Sequence, residues 1–195
     1  AWEEFLEDIR KEALERQALL EARGGATSAR RLTRLGGTVD SPRFDDDGTL
    51  VFVANPPNGP AGLYSLRGLP AATPVPLALA QLNGSGSAAP LGDGSFVVSM
   101  GEWWWSWWQL RDLWRLTPDR PPERLSDGAR LRSPAAFAGV ARVVAEERSG
   151  NHSAVMLVDT RTGARESLVR FEDGTLAYTP EPSPDGRHVV YVRVD

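Results

Sequence analysis

Apolar and polar positions alternate with two different spacings along the chain, and the spacing changes at Gly24-Gly25. Over residues 2–22, apolar residues recur every three or four positions, which is the spacing of one face of an α-helix. Acidic residues crowd the first turns, where the helix dipole favours negative charge. The pattern therefore predicts a helix over residues 2–22 that ends at the glycine pair. Its apolar stripe consists of Trp2, Phe5, Leu6, Ile9, Ala13 and Leu20.

Two interpretations of the helical segment, residues 1–25, stay open. It is either an amphipathic helix that docks on a neighbouring domain or the last helix of an upstream domain. A membrane-surface helix is disfavoured because the polar face is mostly acidic. The chain begins at Ala1 with neither an initiator Met nor a signal-peptide pattern, so we expect it to be an internal piece of a longer protein.

After residue 25, short apolar runs alternate with Gly, Pro, Asp and Asn, which is typical of an all-β domain. A turn glycine recurs at intervals of about 46 residues. Three of the four glycines follow Asp, and Asp-Gly between apolar runs is a strong hairpin signal. The four turn glycines are Gly48, Gly94, Gly139 and Gly186.

Each repeat contains the same order of predicted strands. One strand follows the glycine (50–53, 96–98, 142–144 and 188–192). A second comes later (62–66, 112–116 and 155–159), and a third closes the unit (75–77, 123–126 and 166–169). A Pro-containing segment precedes the glycine (41–44, 89–91 and 182–184), with Ser133-Pro134 as its degenerate version.

Four strands in each repeat of about 46 residues fit the blade of a β-propeller. A single four-stranded sheet cannot bury both of its faces, so blades stack around an axis. A β-sandwich, the structural rival, predicts no such long period. We therefore expect an all-β propeller domain over residues 29–195. It contains three complete four-stranded blades, at about 38–80, 85–127 and 131–171, and a partial fourth, preceded by one N-terminal helix.

Residues 29–34 form a predicted outer strand whose own inner strands are not evident before it. Propellers often close by lending a terminal strand to the opposite end of the chain, which removes exposed edges. The segment either pairs with the 188–194 region or belongs to a larger propeller of about six blades. We favour the larger propeller.

Several segments carry a resemblance to a known family. Residues 183–192, beginning Ser183-Pro184-Asp185-Gly186, resemble the SPDG-x-x-I-A-[FY]-V signature of TolB-type, WD-like propeller repeats, and residues 41–53 are similar with Asp46 in place of Pro. Arg31-Leu32-Thr33 and Arg124-Leu125-Ser126 resemble the R-L-T that ends such blades. Residues 159–163 resemble the D-x-x-T-G turn before the final strand.

This resemblance covers residues 29–195 and implies a β-propeller of exported bacterial proteins. Such propellers serve as protein-binding platforms or as shields beside a catalytic domain, and prolyl oligopeptidases and some metallopeptidases carry them. The helix that leads into Arg30-Arg31-Leu32-Thr33 is similar to junctions where a gluzincin-type peptidase domain precedes the propeller.

Composition and the absence of known motifs exclude several classes of partner and active site. The net charge of −4 argues against nucleic acid as a partner, and no apolar run is long enough for a membrane span. There is no cysteine, no H-E-x-x-H, no G-x-S-x-G and no P-loop. The two histidines, His152 and His188, fall in separate repeats, and Asp45-Asp46-Asp47-Gly48 lacks the ligand spacing of an EF-hand. We expect no catalytic residue, cofactor or metal site in this chain.

The most unusual segment is a tryptophan cluster between the second and third strands of the second blade. It consists of Trp103, Trp104, Trp105, Trp107 and Trp108, with Ser106 among them. The cluster either packs on a neighbouring blade or the helix, or forms an aromatic platform for a partner, a peptide or a sugar ring. Because side chains alternate between the two faces of a strand, we expect an extended hairpin with at least two exposed rings, rimmed by Glu102 and Arg111.

The sequence thus predicts a non-catalytic propeller that binds or scaffolds proteins within a larger exported, periplasmic bacterial protein. The expected partner is a protein, a peptide or another domain of the parent chain. The alternative is an accessory propeller of a peptidase, of gluzincin or prolyl oligopeptidase type, whose catalytic domain lies outside the chain. A gluzincin would show H-E-x-x-H before residue 1, and a prolyl oligopeptidase G-x-S-x-G after residue 195.

Overall fold

The computed structural model describes residues 2–24, 31–68, 73–79, 87–104 and 108–195, without the side chains of residues 2–5, 78, 79, 104 and 108. The chain divides into two compact units, residues 1–34 and residues 35–195.

The first unit contains one helix, α1 (Trp2–Ala22), with the bounds that the sequence predicts. Within it, the amide of Gln17 donates a hydrogen bond of 2.9 Å to Glu21 one turn later. The helix is followed by Gly24, whose φ of +131° few other residues adopt. Gly25, the second residue of the predicted stop, lies outside the described residues. The apolar stripe is exposed at Leu6, Ile9 and Leu20.

The second unit is built from antiparallel strands in four sheets. The first sheet contains β1 (Thr38–Phe44), β2 (Leu50–Asn55), β3 (Gly62–Leu66) and β4 (Val75–Leu79). The second contains β5 (Ala88–Pro90), β6 (Phe96–Trp104), β7 (Trp108–Leu116) and β8 (Glu123–Arg124). The third contains β9 (Leu131–Ala136), β10 (Arg142–Ser149), β11 (His152–Asp159) and β12 (Arg165–Phe171), and the fourth β13 (Leu176–Pro182) and β14 (Val189–Val194). The three complete blades and the partial fourth are confirmed.

The Asp-Gly turns between the first two strands of a blade have a shared chemistry. Asp47 accepts a 2.9 Å hydrogen bond from the backbone N–H of Thr49, and Gly48 takes a φ of +77°. Arg67, just after the third strand, then donates to the Thr49 hydroxyl at 3.1 Å and pairs with Asp47. Blade 2 repeats the arrangement with Asp93, Ser95 and Arg115.

The core lies between the blades, because alternate residues of each strand face opposite neighbours. One cluster joins blades 1 and 2, a second joins blades 2 and 3, and a third joins blades 3 and 4. The sheets of blades 2 and 3 thus bury both faces against neighbouring blades, which distinguishes the propeller from a two-sheet sandwich. The fully buried members include Val51, Leu63 and Val98 in the first cluster, Val97, Leu113, Leu131 and Val143 in the second, and Val144 and Ala177 in the third.

The innermost strands of blades 1, 3 and 4 share a bulge that corrects one sequence alignment. Ser41, Ser133 and Thr179 have φ values of 54°, 50° and 43°, and each precedes a proline at a break in register. The structural counterpart of Ser41-Pro42 is therefore Thr179-Pro180, not the segment 182–184 that the sequence aligned with it. Blade 4 carries a proline at both places, Pro180 at the bulge and Pro184 in the turn, and the sequence comparison matched the turn segment instead of the bulge.

The predicted outer strand at residues 29–34 is not formed in its described part, because residues 31–34 contain no strand. Residues 29 and 30 lie outside the described residues. A strand requires a neighbour to pair with its backbone groups. The expected pairing with residues 188–194 is not formed by the described part of the segment, because β14 pairs with β13 in a two-stranded sheet. That the segment belongs to a larger propeller stays a prediction.

Candidate functional site

The tryptophan cluster lies at the end of a long ribbon formed by β6 and β7. The two strands stay in register from Phe96 opposite Leu116 to Trp104 opposite Trp108. In the same sheet, β5 pairs only with residues 96–98, and β8 pairs only with residues 114–115. The rest of the ribbon thus projects beyond its own sheet, as the extended hairpin expected from the sequence does.

Trp103 is the described ring of the cluster, and 66% of it is exposed. It stands opposite Gln109 in the ladder. Trp105, Ser106 and Trp107 lie outside the described residues, as do the side chains of Trp104 and Trp108. The exposure of a second ring therefore stays a prediction.

One face of the ribbon carries an ion-paired aromatic stack. The Glu102 carboxylate pairs with the guanidinium of Arg124 from β8, and Asp127 pairs with the same group. The Arg124 guanidinium lies 4.9 Å from the ring centroid of Trp114, within range of a cation–π contact. The hydrogen bond from Arg124 to Glu102 raises the pKa of the guanidinium above its ordinary value. Glu102, expected at the rim of the aromatic patch, is thus fixed by a partner.

The other face leads from Trp103 toward blade 3. Gly101 and Arg111 stand opposite each other two residues further down the ribbon, and the Gln109 side chain covers Gly101 so closely that an added Cβ would lie 2.7 Å from Nε2. Arg111, the second expected rim residue, lies within electrostatic range of Arg132 on β9. Of the two rim residues, Glu102 is fixed by its ion pair with Arg124.

A buried charge cluster follows on this side. The Glu146 side chain, 4% exposed, has Arg132 and Arg148 on either side, with N–O distances of 3.7 and 3.9 Å. Its Oε1 accepts a 3.1 Å hydrogen bond from the Ser133 hydroxyl, and the backbone N–H of Thr179 in blade 4 lies near enough to lower the pKa of the carboxyl. We call Arg132, Glu146 and Arg148 the interblade cluster.

Burial raises the pKa of the Glu146 carboxyl, and the hydrogen bond from Ser133 and the charges of Arg148 and Arg132 offset the rise in part. The Arg148 guanidinium also stacks on the ring of Tyr178 at 3.8 Å from its centroid. The cluster thus joins β9 and β10 of blade 3 to β13 of blade 4.

The sequence interpretation missed this cluster. In the ladder, Glu146 stands opposite Arg132, and the matching positions of the other blades are Val53, Ser99 and Val192. The sequence did contain a signal for this cluster, because Glu146 occupies a position where two other repeats carry Val. This signal is easily overlooked, because two adjacent glutamates, Glu146 and Glu147, are typical of the solvated end of a strand.

A second ion pair lies at the opposite end of the innermost strands. Arg43 of blade 1 pairs with Glu181 of blade 4 over a cavity of about 180 Å³. Residues of all four innermost strands or their turns line that cavity, including Ala89 and Ala135. Burial lowers the pKa of the Arg43 guanidinium.

A cavity of about 680 Å³ lies where blade 3 meets the partial blade 4. Its apolar walls include Leu157 and Val169 from blade 3 and Val189 and Tyr191 from blade 4. Two-stranded blade 4 covers only part of this face, and Val190 on β14 is 65% exposed. The walls of this cavity are apolar, like the surfaces that pack between the other blades.

The residues considered for catalysis or metal binding are apart. His152 begins β11 and His188 precedes β14, and both are exposed. The described residues contain no group of three or more His, Cys, Asp or Glu side chains that could hold a metal ion. Asp45-Asp46-Asp47-Gly48 forms the turn between β1 and β2. No helix in the described part of the chain has the length and hydropathy to cross a lipid bilayer.

Comparison with known proteins gives the fold its name. The sequence matches no protein-family model and no curated protein. The chain is similar to the crystal structure of TolB from Acinetobacter baumannii, with a TM-score of 0.56 and 21% identity, over 77% of this chain and 36% of that one. The chain thus spans about a third of the length of that structure.

Two further similarities are weaker. A candidate TolB from Agrobacterium tumefaciens matches with a TM-score of 0.46 and 17% identity, over 85% of this chain and 73% of that one. A mannose phosphorylase from Leishmania mexicana, in complex with a phosphate ion, matches with a TM-score of 0.41 and 14% identity, over 94% and 71%. Both scores are too low to support an argument. Taken with the repeated blades and the SPDG turn, the first match establishes that the chain has the fold of a TolB-type β-propeller.

Proposed function

We propose that this chain is a non-catalytic protein-interaction module and that the tryptophan hairpin, the ribbon of β6 and β7 with its Trp103–Trp108 tip, is its binding surface. The observation that carries the proposal is the exposure of Trp103, 66%, at the end of a ribbon that projects beyond its sheet. Exposed tryptophan costs solubility, and clustered aromatic residues are enriched where partners bind.

The construction of the ribbon suits binding. An antiparallel ladder holds both strands up to Trp104 and Trp108, so little backbone entropy remains to be lost when a partner docks. The rim is polar, with Glu102 fixed by Arg124 and Gln109 exposed beside Trp103. An aromatic centre within a polar rim is the usual anatomy of a protein interface.

The cellular setting is a further part of the proposal. TolB-type propellers are expected in exported bacterial proteins, and we place this module in a larger exported, periplasmic protein, where it binds a protein, a peptide or another domain of its parent. The attachment to a peptidase domain stays a prediction, which the gene sequence on either side of residues 1–195 would test.

A displayed peptide library selected on the immobilised chain tests the binding surface. We expect the wild-type chain to enrich a defined set of peptides and the Trp103→Ala variant to lose most of that enrichment. The matched control is Val140→Ala, because Val140 is also exposed and apolar, 52%, but lies in the turn between β9 and β10 at the other end of the strands.

The variants separate the possible outcomes. Enrichment that survives Trp103→Ala but fails in Val140→Ala would place the binding surface on the opposite face and contradict the proposal. Absence of any enriched peptide, in a chain shown by circular dichroism to be folded, would also contradict it.

A further inference from the structure

The loop between β2 and β3 contains an asparagine that is followed by glycine, Asn58-Gly59. In such a pair, the backbone nitrogen of the glycine can attack the side-chain carbonyl carbon of the asparagine and close a five-membered ring. A side chain on the second residue hinders this attack, and glycine has no Cβ to do so. Both residues are exposed, so water and a base from solvent reach them.

The attacking nitrogen is weakly engaged in the fold. The N–H of Gly59 donates to the carbonyl oxygen of Pro56 in a β-turn, and the distance of 3.4 Å exceeds the usual range of about 2.7–3.2 Å. The ladder between β2 and β3 ends where Ala54 stands opposite Gly62, outside this turn. Ring closure therefore breaks no hydrogen bond of the sheet.

Both ends of the loop are anchored on blade 1. Pro56 is buried, and the Tyr64 hydroxyl donates a 2.5 Å hydrogen bond to the carbonyl oxygen of Pro60. The Tyr64 ring in turn stacks on Phe52, with 6.0 Å between the ring centroids. Because these contacts lie on either side of Asn58, its side chain can change while the blade stays folded.

The other asparagines of the described residues lack this combination. Asn55 precedes Pro56, whose nitrogen carries no hydrogen and cannot close the ring. Asn151 precedes His152, whose side chain hinders the attack and whose backbone belongs to the ladder of β10 and β11. A second Asn-Gly pair, Asn83-Gly84, lies outside the described residues.

We propose that Asn58 is a site of spontaneous deamidation in the folded chain. A base takes the amide proton of Gly59, and the nitrogen forms a bond to Cγ of Asn58. The bond from Cγ to Nδ2 breaks, and the leaving nitrogen takes a proton from solvent and departs as ammonia. Water then opens the succinimide ring at either carbonyl, which gives aspartate or isoaspartate. The overall change is the gain of one water and the loss of one ammonia.

The modification adds a negative charge at the end of the propeller that carries the tryptophan hairpin. The loop joins the second and third strands of blade 1, and the hairpin joins the second and third strands of blade 2. The neutral amide becomes a carboxylate, which is ionised at neutral pH. The inference does not rest on the proposed function, because it concerns only the chemistry of this loop.

Peptide mapping by mass spectrometry, on the whole folded chain incubated in mildly alkaline buffer, tests the proposal. We expect the mass gain of deamidation to accumulate at Asn58 and not at Asn151, with isoaspartate among the products. Gly59→Ala should slow the reaction at Asn58 about tenfold, because its Cβ raises the barrier to ring closure. That Cβ lies 3.0 Å from Cγ of Pro56, so circular dichroism must show that the variant is folded.

The matched control is Gly48→Ala, which replaces a turn glycine at the other end of the strands and should leave the rate at Asn58 unchanged. If Gly59→Ala does not fold, the wild-type chain still tests the mechanism, because the rate must rise with pH as base removes the amide proton. A rate that ignores pH, or a product that is aspartate alone, would overturn the inference. So would an Asn58 that reacts in urea but stays intact in the folded chain.

Discussion

The guanidinium of Arg43 on the innermost strand of blade 1 pairs with the carboxylate of Glu181 on the innermost strand of blade 4, 138 residues along the chain. The two strands are separated in the blade order by β5 and β9, whose alanines Ala89 and Ala135 line the same cavity. Small side chains on the intervening strands leave the space through which the long Arg and Glu side chains meet. The pair thus ties the first and last described blades together.

A double-mutant cycle should detect the interaction between Arg43 and Glu181. With Arg43→Gln and Glu181→Gln, we expect a coupling of about 0.5–1 kcal/mol in the free energy of unfolding, a modest value because both side chains are about one-third exposed. The control cycle is Arg67 with Asp47, a more exposed pair within a single blade, which should show weaker coupling. Equal coupling in the two cycles would mean that Arg43 and Glu181 add nothing beyond a surface ion pair.

Glu146 should make stability depend on pH in a direction opposite to that of a surface acid. Burial raises its pKa in the folded state above the unfolded value, so its favourable contribution is complete below about pH 4.5 and is lost as the pH rises through the folded pKa. Relative to Glu146→Gln, the wild-type chain should therefore lose stability between pH 4 and pH 8 or so. Urea unfolding of both proteins across this range measures the difference, and a wild-type chain that gains stability relative to the variant would refute the assignment.

The two tryptophans Trp103 and Trp114 should respond differently to truncation. Trp103 is largely exposed, so Trp103→Ala should change the free energy of unfolding by less than about 0.5 kcal/mol. Trp114 packs against the core between blades 1 and 2 beneath Arg124, and Trp114→Ala should cost about 3 kcal/mol. Chemical denaturation compares the two, and a large loss in Trp103→Ala would mean that the hairpin ring is core rather than binding surface.

The sequence predicts the turns and most strands because their chemistry is local. Asp47-Gly48 and Asp93-Gly94 carry within four residues the acceptor and the positive φ that the turn needs. The interblade cluster could not be predicted in this way, because Glu146 meets Thr179 only after blade 3 and blade 4 have packed together. The pair of Arg43 and Glu181 depends on the whole arc of blades, so no local pattern indicates it.

Of the two turn glycines Gly163 and Gly48, Gly163 should be the more sensitive to substitution by alanine. Gly163 and Gly48 both have a positive φ, 72° and 77°, but a Cβ at Gly163 would lie 2.7 Å from the backbone oxygen of Leu125, and a Cβ at Gly48 would meet nothing within 4 Å. Gly48→Ala should cost about 1 kcal/mol from backbone strain alone. Gly163→Ala should cost about 1 kcal/mol more, because backbone must move. Thermal unfolding of the two variants checks the order, and equal losses would show that the contact with Leu125 is unimportant.

The central claim is that partners bind on the face of the propeller that carries the tryptophan hairpin. Nuclear magnetic resonance of the ¹⁵N-labelled chain, titrated with a library-selected peptide, tests it most directly because it reports on both ends of the strands at once. We predict that the indole N–H signal of Trp103 and the side-chain amide signal of Gln109, which stands opposite it, shift with a common affinity, while the amide signals of the opposite turns at Gly48 and Gly139 do not. Shifts confined to those turns, or to the exposed strand β14, would contradict the account.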